Sequence, residues 1–105
     1  NRMTPKSIFE ERLAASLANK GPAENGAVYQ FKVTGEEGGD WVVDTGAAAV
    51  TAGTNGDAAC TITVADSDFV GLVKGEIAGP MLFMTGKLKV DGDISLAMKL
   101  GDLLS

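Results

Sequence analysis

The sequence predicts a single α/β domain, and three observations carry that reading. Apolar residues recur at every fourth position near the N-terminus, five short strand-like segments follow, three of them alternating apolar with polar residues, and the C-terminal stretch returns to a helical period. A chain of 105 residues holds one hydrophobic core, so residues 1–105 form one domain, without internal repeats.

The elements follow in order. Thr4 is the expected N-cap of a first helix, with Pro5 at its first position. Phe9, Leu13 and Leu17 form its apolar spine, and Gly21-Pro22 ends it after Lys20. Tyr29, Phe31 and Val33 alternate with Gln30, Lys32 and Thr34 as a half-buried strand. Glu36-Glu37-Gly38-Gly39 turns the chain into a return strand, Trp41 to Thr45, with Trp41 and Val43 on one face. A third strand is placed near Ala48–Thr51 and a fourth on Cys60, Ile62 and Val64. Asp66 is the expected N-cap of a short helix that carries Phe69, Leu72 and Val73 and ends at Gly75. Met81-Leu82-Phe83-Met84 makes a helical turn after Pro80, Lys87 to Val90 a fifth strand, and Asp93 caps a last helix running to the C-terminus.

That last helix is unusually apolar. Ser95, Lys99 and Asp102 gather into one narrow polar stripe, while apolar residues from Ile94 to Leu104 spread over roughly 220° of circumference, against the ~100° a surface helix needs. Such a helix is contacted on two sides, by a core and by something further: a partner, a lipid or other helices. Met81, Phe83, Met84 and Met98 add adaptable apolar side chains of the kind found in promiscuous binding surfaces and in ordinary cores.

Composition removes much chemistry. The chain has no histidine, so catalysis by Ser-His-Asp or Cys-His groups and imidazole metal sites are excluded. Cys60 is the single cysteine: it forms neither an intramolecular disulfide nor a thiolate metal site, and on the apolar face of a strand it reads as a buried, inert thiol. A net charge of −5 argues against nucleic acid. Lys87 and Lys89 are the solvated face of a strand or a small basic patch. No apolar run approaches the ~20 residues of a membrane span, and no secretory signal is seen. A reducing, aqueous compartment, the cytoplasm, is therefore expected. Asn1 and Arg2 precede Met3, as in a piece cut from a longer protein.

One catalytic pattern stands out. Val42-Val43-Asp44-Thr45-Gly46-Ala47 matches the segment around the catalytic aspartate of retroviral-type aspartic proteases, whose dimer shares one proton between two carboxylates. Those proteases are nearly all β and need a glycine-rich flap. Here strong helices open and close the chain, and Asp44 reads more simply as a strand-end residue before a turn.

Phe31, Gly39-x-Trp41-x-Val43-Asp44, Cys60-Thr61-Ile62-Thr63, Asp66-Ser67-Asp68-Phe69, Gly86-Lys87-Leu88-Lys89-Val90-x-Gly92 and Leu96-Ala97-Met98-Lys99-Leu100 occur in that order. Over nearly its whole length the chain thereby resembles the sterol carrier protein 2, or nonspecific lipid-transfer, family. The resemblance implies an α/β fold with a five-stranded mixed sheet, helices covering one face and an apolar ligand tunnel between the layers. It implies binding and transfer of fatty acids, fatty acyl-CoA, phospholipids or sterols, and no enzymatic activity. Asp44 would then be structural. The expected tunnel lining is Phe31, Trp41, Met81, Met84, Thr85, Ile94, Met98, Leu100 and Leu103. Two departures stand beside it: Ala78-Gly79-Pro80 replaces the usual Asn-Pro, and Thr85 stands where many members carry a tunnel-facing Gln. The expected partner is a long-chain lipid held by a monomer, with transient membrane contact and no cofactor or metal. An accessory lipid-presenting domain of a larger enzyme is the alternative. A peroxisomal site remains open for a eukaryotic protein, although the chain ends Leu103-Leu104-Ser105 without the targeting tripeptide.

Overall fold

The computed structural model describes residues 2–24, 26–99 and 103–104. Thr4 caps the first helix as expected: its hydroxyl accepts from Ser7 N, and the Ser7 hydroxyl accepts from Thr4 N in return, closing a capping box. The helix runs through α1 (Pro5–Ser7), a π-helical stretch (Ile8–Leu13) and α2 (Ala14–Lys20), and Gly21 ends it. The π stretch is not visible in the sequence. It gains one residue per turn, which brings Ile8, Phe9 and Leu13 together into the core.

Five strands follow: β1 (Val28–Thr34), β2 (Gly39–Asp44), β3 (Ala49–Ala52), β4 (Cys60–Ala65) and β5 (Leu88–Gly92). Their order in the sheet is β3-β2-β1-β4-β5. β1 pairs with β4 in parallel and every other neighbour is antiparallel, so the sheet is mixed. Between β4 and β5 lie α3 (Asp66–Lys74) and α4 (Gly79–Met84), and after β5 comes α5 (Ile94–Ala97).

The core lies between the N-terminal helix and the sheet. Phe9 is its centre, stacked on Trp41 at 4.7 Å and on Phe69 at 4.9 Å, with Phe31 tilted against it at 5.0 Å. At its back Tyr29, Val43, Ile62 and Val64 point to the same side of the sheet. Gly26 and Gly46 let two loops touch: a Cβ on Gly26 would stand 2.2 Å from Gly46 Cα.

Three expectations are corrected. Asp66 is the first residue of α3, and its N-cap is Ala65. β4 runs straight into the helix, and the Asp66 carboxylate instead accepts from Glu37 N in the β1–β2 turn (3.0 Å) and from Ser67 N (2.8 Å). Asp93 does cap α5, but that helix spans only Ile94–Ala97, followed by a turn; Leu103 and Leu104 are helical again, and residues 100–102 lie outside the described residues. Gln30, expected on a solvated face, is 2% exposed. The loop after β3 folds over it, and its side chain meets the carbonyls of Phe31, Trp41 and Gly53 and the amide of Asn55.

Candidate functional site

The N-terminal helix, α3 and the C-terminal residues meet at a cleft of about 100 Å³ lined by Ile8, Arg12, Leu13, Ser16, Val73, Leu103 and Leu104. Ile8, Arg12 and Ser16 recur every fourth residue, beside the Phe9–Leu13–Leu17 spine that faces the sheet. Val73 comes from α3, whose Phe69 anchors that helix in the core. Leu103 and Leu104 pack from the C-terminal side and are half-buried. Five apolar side chains thus make the walls, while Arg12 and Ser16 supply the polar groups. Arg12, like Ile8, is shared with a broader groove of about 620 Å³, lined also by Arg2, Met3, Ser7 and Glu11. Its guanidinium touches Met3 Sδ at 3.9 Å.

Most of the expected lining lies elsewhere. Phe31 and Trp41 are 1% and 5% exposed and belong to the aromatic core. The indole N–H of Trp41 donates to Glu10 Oε2 at 3.1 Å, which fixes the ring under the π stretch. Met81, Met84, Ile94 and Met98 stand on the outside of the molecule. Thr85 closes α4 on itself, its hydroxyl donating to the carbonyls of Met81 (2.9 Å) and Leu82 (3.3 Å). Leu100 lies outside the described residues. Among the described residues of the expected set, Leu103 alone reaches the cleft. Ile8, Arg12, Leu13, Ser16, Val73 and Leu104 were not singled out as ligand contacts. The four-residue spacing of Ile8, Arg12 and Ser16 was the available signal.

The remaining chemistry is muted. Cys60 is 1% exposed, and its thiol is pushed above its ordinary value, first by burial and then by the Asp93 and Asp91 carboxylates. The Tyr29 phenol is raised likewise, mainly by burial. The Asp93 carboxyl is held below its usual range, chiefly by the Ser95 hydroxyl. Asp44 Oδ1 accepts from Ala47 N at 3.0 Å and serves the β2–β3 turn. Among the described residues no cluster of His, Cys, Asp and Glu is arranged to hold a metal, and no helix is long and apolar enough to cross a membrane.

Residues 9–105 match the model of the SCP-2 sterol transfer family. The chain belongs to that family. Its SCP-2 domain is 43% identical over 83 residues to sterol carrier protein 2 of Homo sapiens, covering 74% of this chain and 15% of that protein. It is 39% identical over 93 residues to hydroxysteroid dehydrogenase-like protein 2 of Mus musculus, covering 86% of this chain and 19% of the other. The chain therefore spans less than a fifth of the length of either relative. In three dimensions the SCP-2 domain is similar to palmitated SCP2L2 from Aedes aegypti, with a TM-score of 0.80 and 25% identity over 97% of this chain and 95% of that one. The five-stranded mixed sheet with helices is the fold of that family, and the Asp-Thr-Gly-Ala pattern belongs to a turn within it.

Proposed function

We propose that the domain binds one long-chain lipid with its acyl chain in the cleft and its head near Arg12, and carries it between membranes without chemical change. The observation that carries this is the cleft itself: an apolar floor from three elements, with one cation at the lip. The palmitate of the Aedes relative and the name of the human one support the same ligand class.

The energetics fit. A ~16-carbon chain leaving water gains about 0.8 kcal/mol per methylene, roughly 12 kcal/mol in all. Association takes half of that or more, which leaves about micromolar affinity. No specific polar contact is required, so selectivity among chains is low. A cleft of about 100 Å³ is smaller than the ~300 Å³ at which ligand sites begin. Binding therefore includes outward movement of Leu103 and Leu104.

Loading and release need a surface that meets a membrane. Among the described residues the large apolar side chains left exposed are Met81, Phe83, Met84, Ile94 and Met98, all in or beside α4 and α5. Those helices flank the edge strand β5, and Lys87 and Lys99 border them. At about 200 Å² per large side chain, the exposed parts amount to roughly 600 Å² of apolar surface. That is short of the ~800 Å² per partner of a stable interface and suits transient contact by a monomer.

A second reading keeps the ligand and changes the context. The similarity to a dehydrogenase-like protein, of which this chain spans 19%, favours a domain that presents lipid to an enzyme in a longer protein. The single, buried thiol suits the reducing cytoplasm in either case.

Titration with a fluorescent fatty acid tests the proposal. Saturable one-to-one binding near micromolar concentration is expected, weakened in Val73→Glu and, for anionic heads, in Arg12→Glu. Absence of saturable binding by any long-chain lipid overturns it.

A further inference from the structure

The loop after β3 carries a feature that lipid carriage does not use. Asn55 is followed by Gly56, and both are exposed. Asn55 Oδ1 accepts from Asp57 N at 2.9 Å, an Asx turn that draws the carboxamide onto the main chain on its C-terminal side. Ala58 N donates to Asn55 O at 3.3 Å, so Gly56 and Asp57 form the tip of a tight turn. Beyond its two chain neighbours, nothing stands within 4 Å of where a Cβ on Gly56 would be, so the tip of the turn is open on that side. The same asparagine is tied to the interior. Its own N–H donates to Gln30 Oε1 at 2.7 Å, and Gln30 is 2% exposed.

We propose that Asn55 is a self-modification site whose conversion to isoaspartate releases the loop from Gln30. The Gly56 amide nitrogen, losing its proton to hydroxide or buffer base, attacks Cγ of Asn55. A new N–C bond closes a succinimide, the bond from Cγ to the side-chain nitrogen breaks, and that nitrogen leaves as ammonia. Water then opens the ring at either carbonyl, giving aspartate or isoaspartate and one further negative charge. Water is the only co-reactant. The isoaspartyl form lengthens the main chain by one methylene between the Asn55 N–H and Gly56. The turn and the Gln30 contact then cannot both be kept, and Gln30 Oε1 loses its partner in a site closed to water.

The test is prolonged incubation of the whole chain at mildly alkaline pH and body temperature, followed by peptide mapping and labelling with an isoaspartyl methyltransferase. The expected result is conversion at Asn55 in the wild type and loss of that conversion in Gly56→Ala, whose added methyl meets no neighbour. Asn55→Ser, which keeps the main-chain N–H to Gln30, should show no conversion in the peptide spanning 53–58 and, aged alike, should melt above aged wild type. The aged wild type should melt lower, and its loop amides should exchange faster. An intact Asn55 in aged wild type, or equal conversion in Gly56→Ala, overturns the assignment of the site. A modified fraction that melts like fresh protein overturns the release from Gln30.

Discussion

The Tyr29 hydroxyl donates to the Leu96 carbonyl at 3.0 Å, joining the middle of the sheet to the last helix across 67 positions of sequence. α5 makes a single turn and buries no residue fully, so this bond is a large part of what seats it. Tyr29→Phe keeps the ring in the core and removes the bond. It should cost about 1 kcal/mol and speed amide exchange at Leu103 more than in β1. Equal exchange in both proteins would place the anchoring elsewhere.

Tyr29 and Cys60 face each other across the β1–β4 pair, and both hold their protons to higher pH than in an unfolded chain. Above the unfolded values, about 8.5 for the thiol and 10 for the phenol, the unfolded state binds fewer protons than the folded one. The stability these two groups contribute is thus complete below about pH 8.5 and declines as pH rises through their folded values. Denaturant midpoints from pH 7 to 10.5 should fall at the alkaline end, and Cys60→Ala should flatten the first part of the fall.

Gln30→Leu removes the acceptor for Asn55 N and the donors to three carbonyls. A loss of about 1–3 kcal/mol is expected, with the 53–58 loop becoming sensitive to protease while the aromatic core persists. A variant as stable as wild type would mean that the loop finds other partners.

Met84 and Met98 are 80% and 83% exposed. Changing either to aspartate should leave the melting temperature within a degree or two, because little packing is lost. The double variant should sediment less with anionic vesicles than wild type, while one-to-one fatty acid binding in solution stays intact. Loss of fatty acid binding instead would put these side chains against the ligand.

Much of the fold is legible in the sequence because its signals are local. Thr4-Pro5, the alternation through Tyr29–Val33 and Cys60–Val64, and Gly75 each determine their own element. What escaped is settled by distant partners. Gln30 is polar by type and buried because a loop 23 residues on supplies its bonds. Asp66 looks like a cap and serves a turn 29 residues earlier. The wide apolar face of the last helix predicts a surface contacted twice, whereas in the structure α5 spans only Ile94–Ala97 and leaves Ile94 and Met98 exposed. Met81, Met84 and Met98 face solvent, while the cleft is built on the π stretch, whose extra residue per turn has no sequence signature.

The central claim is that an acyl chain lies against the N-terminal helix, α3 and the C-terminal leucines. The most direct measurement is isotope-filtered NMR of the protein with carbon-13-labelled palmitate. The account predicts one-to-one saturation, with contacts from the acyl methylenes to Ile8, Leu13, Val73 and Leu103. Saturation accompanied by contacts to none of these four, or no saturation at all, would contradict it.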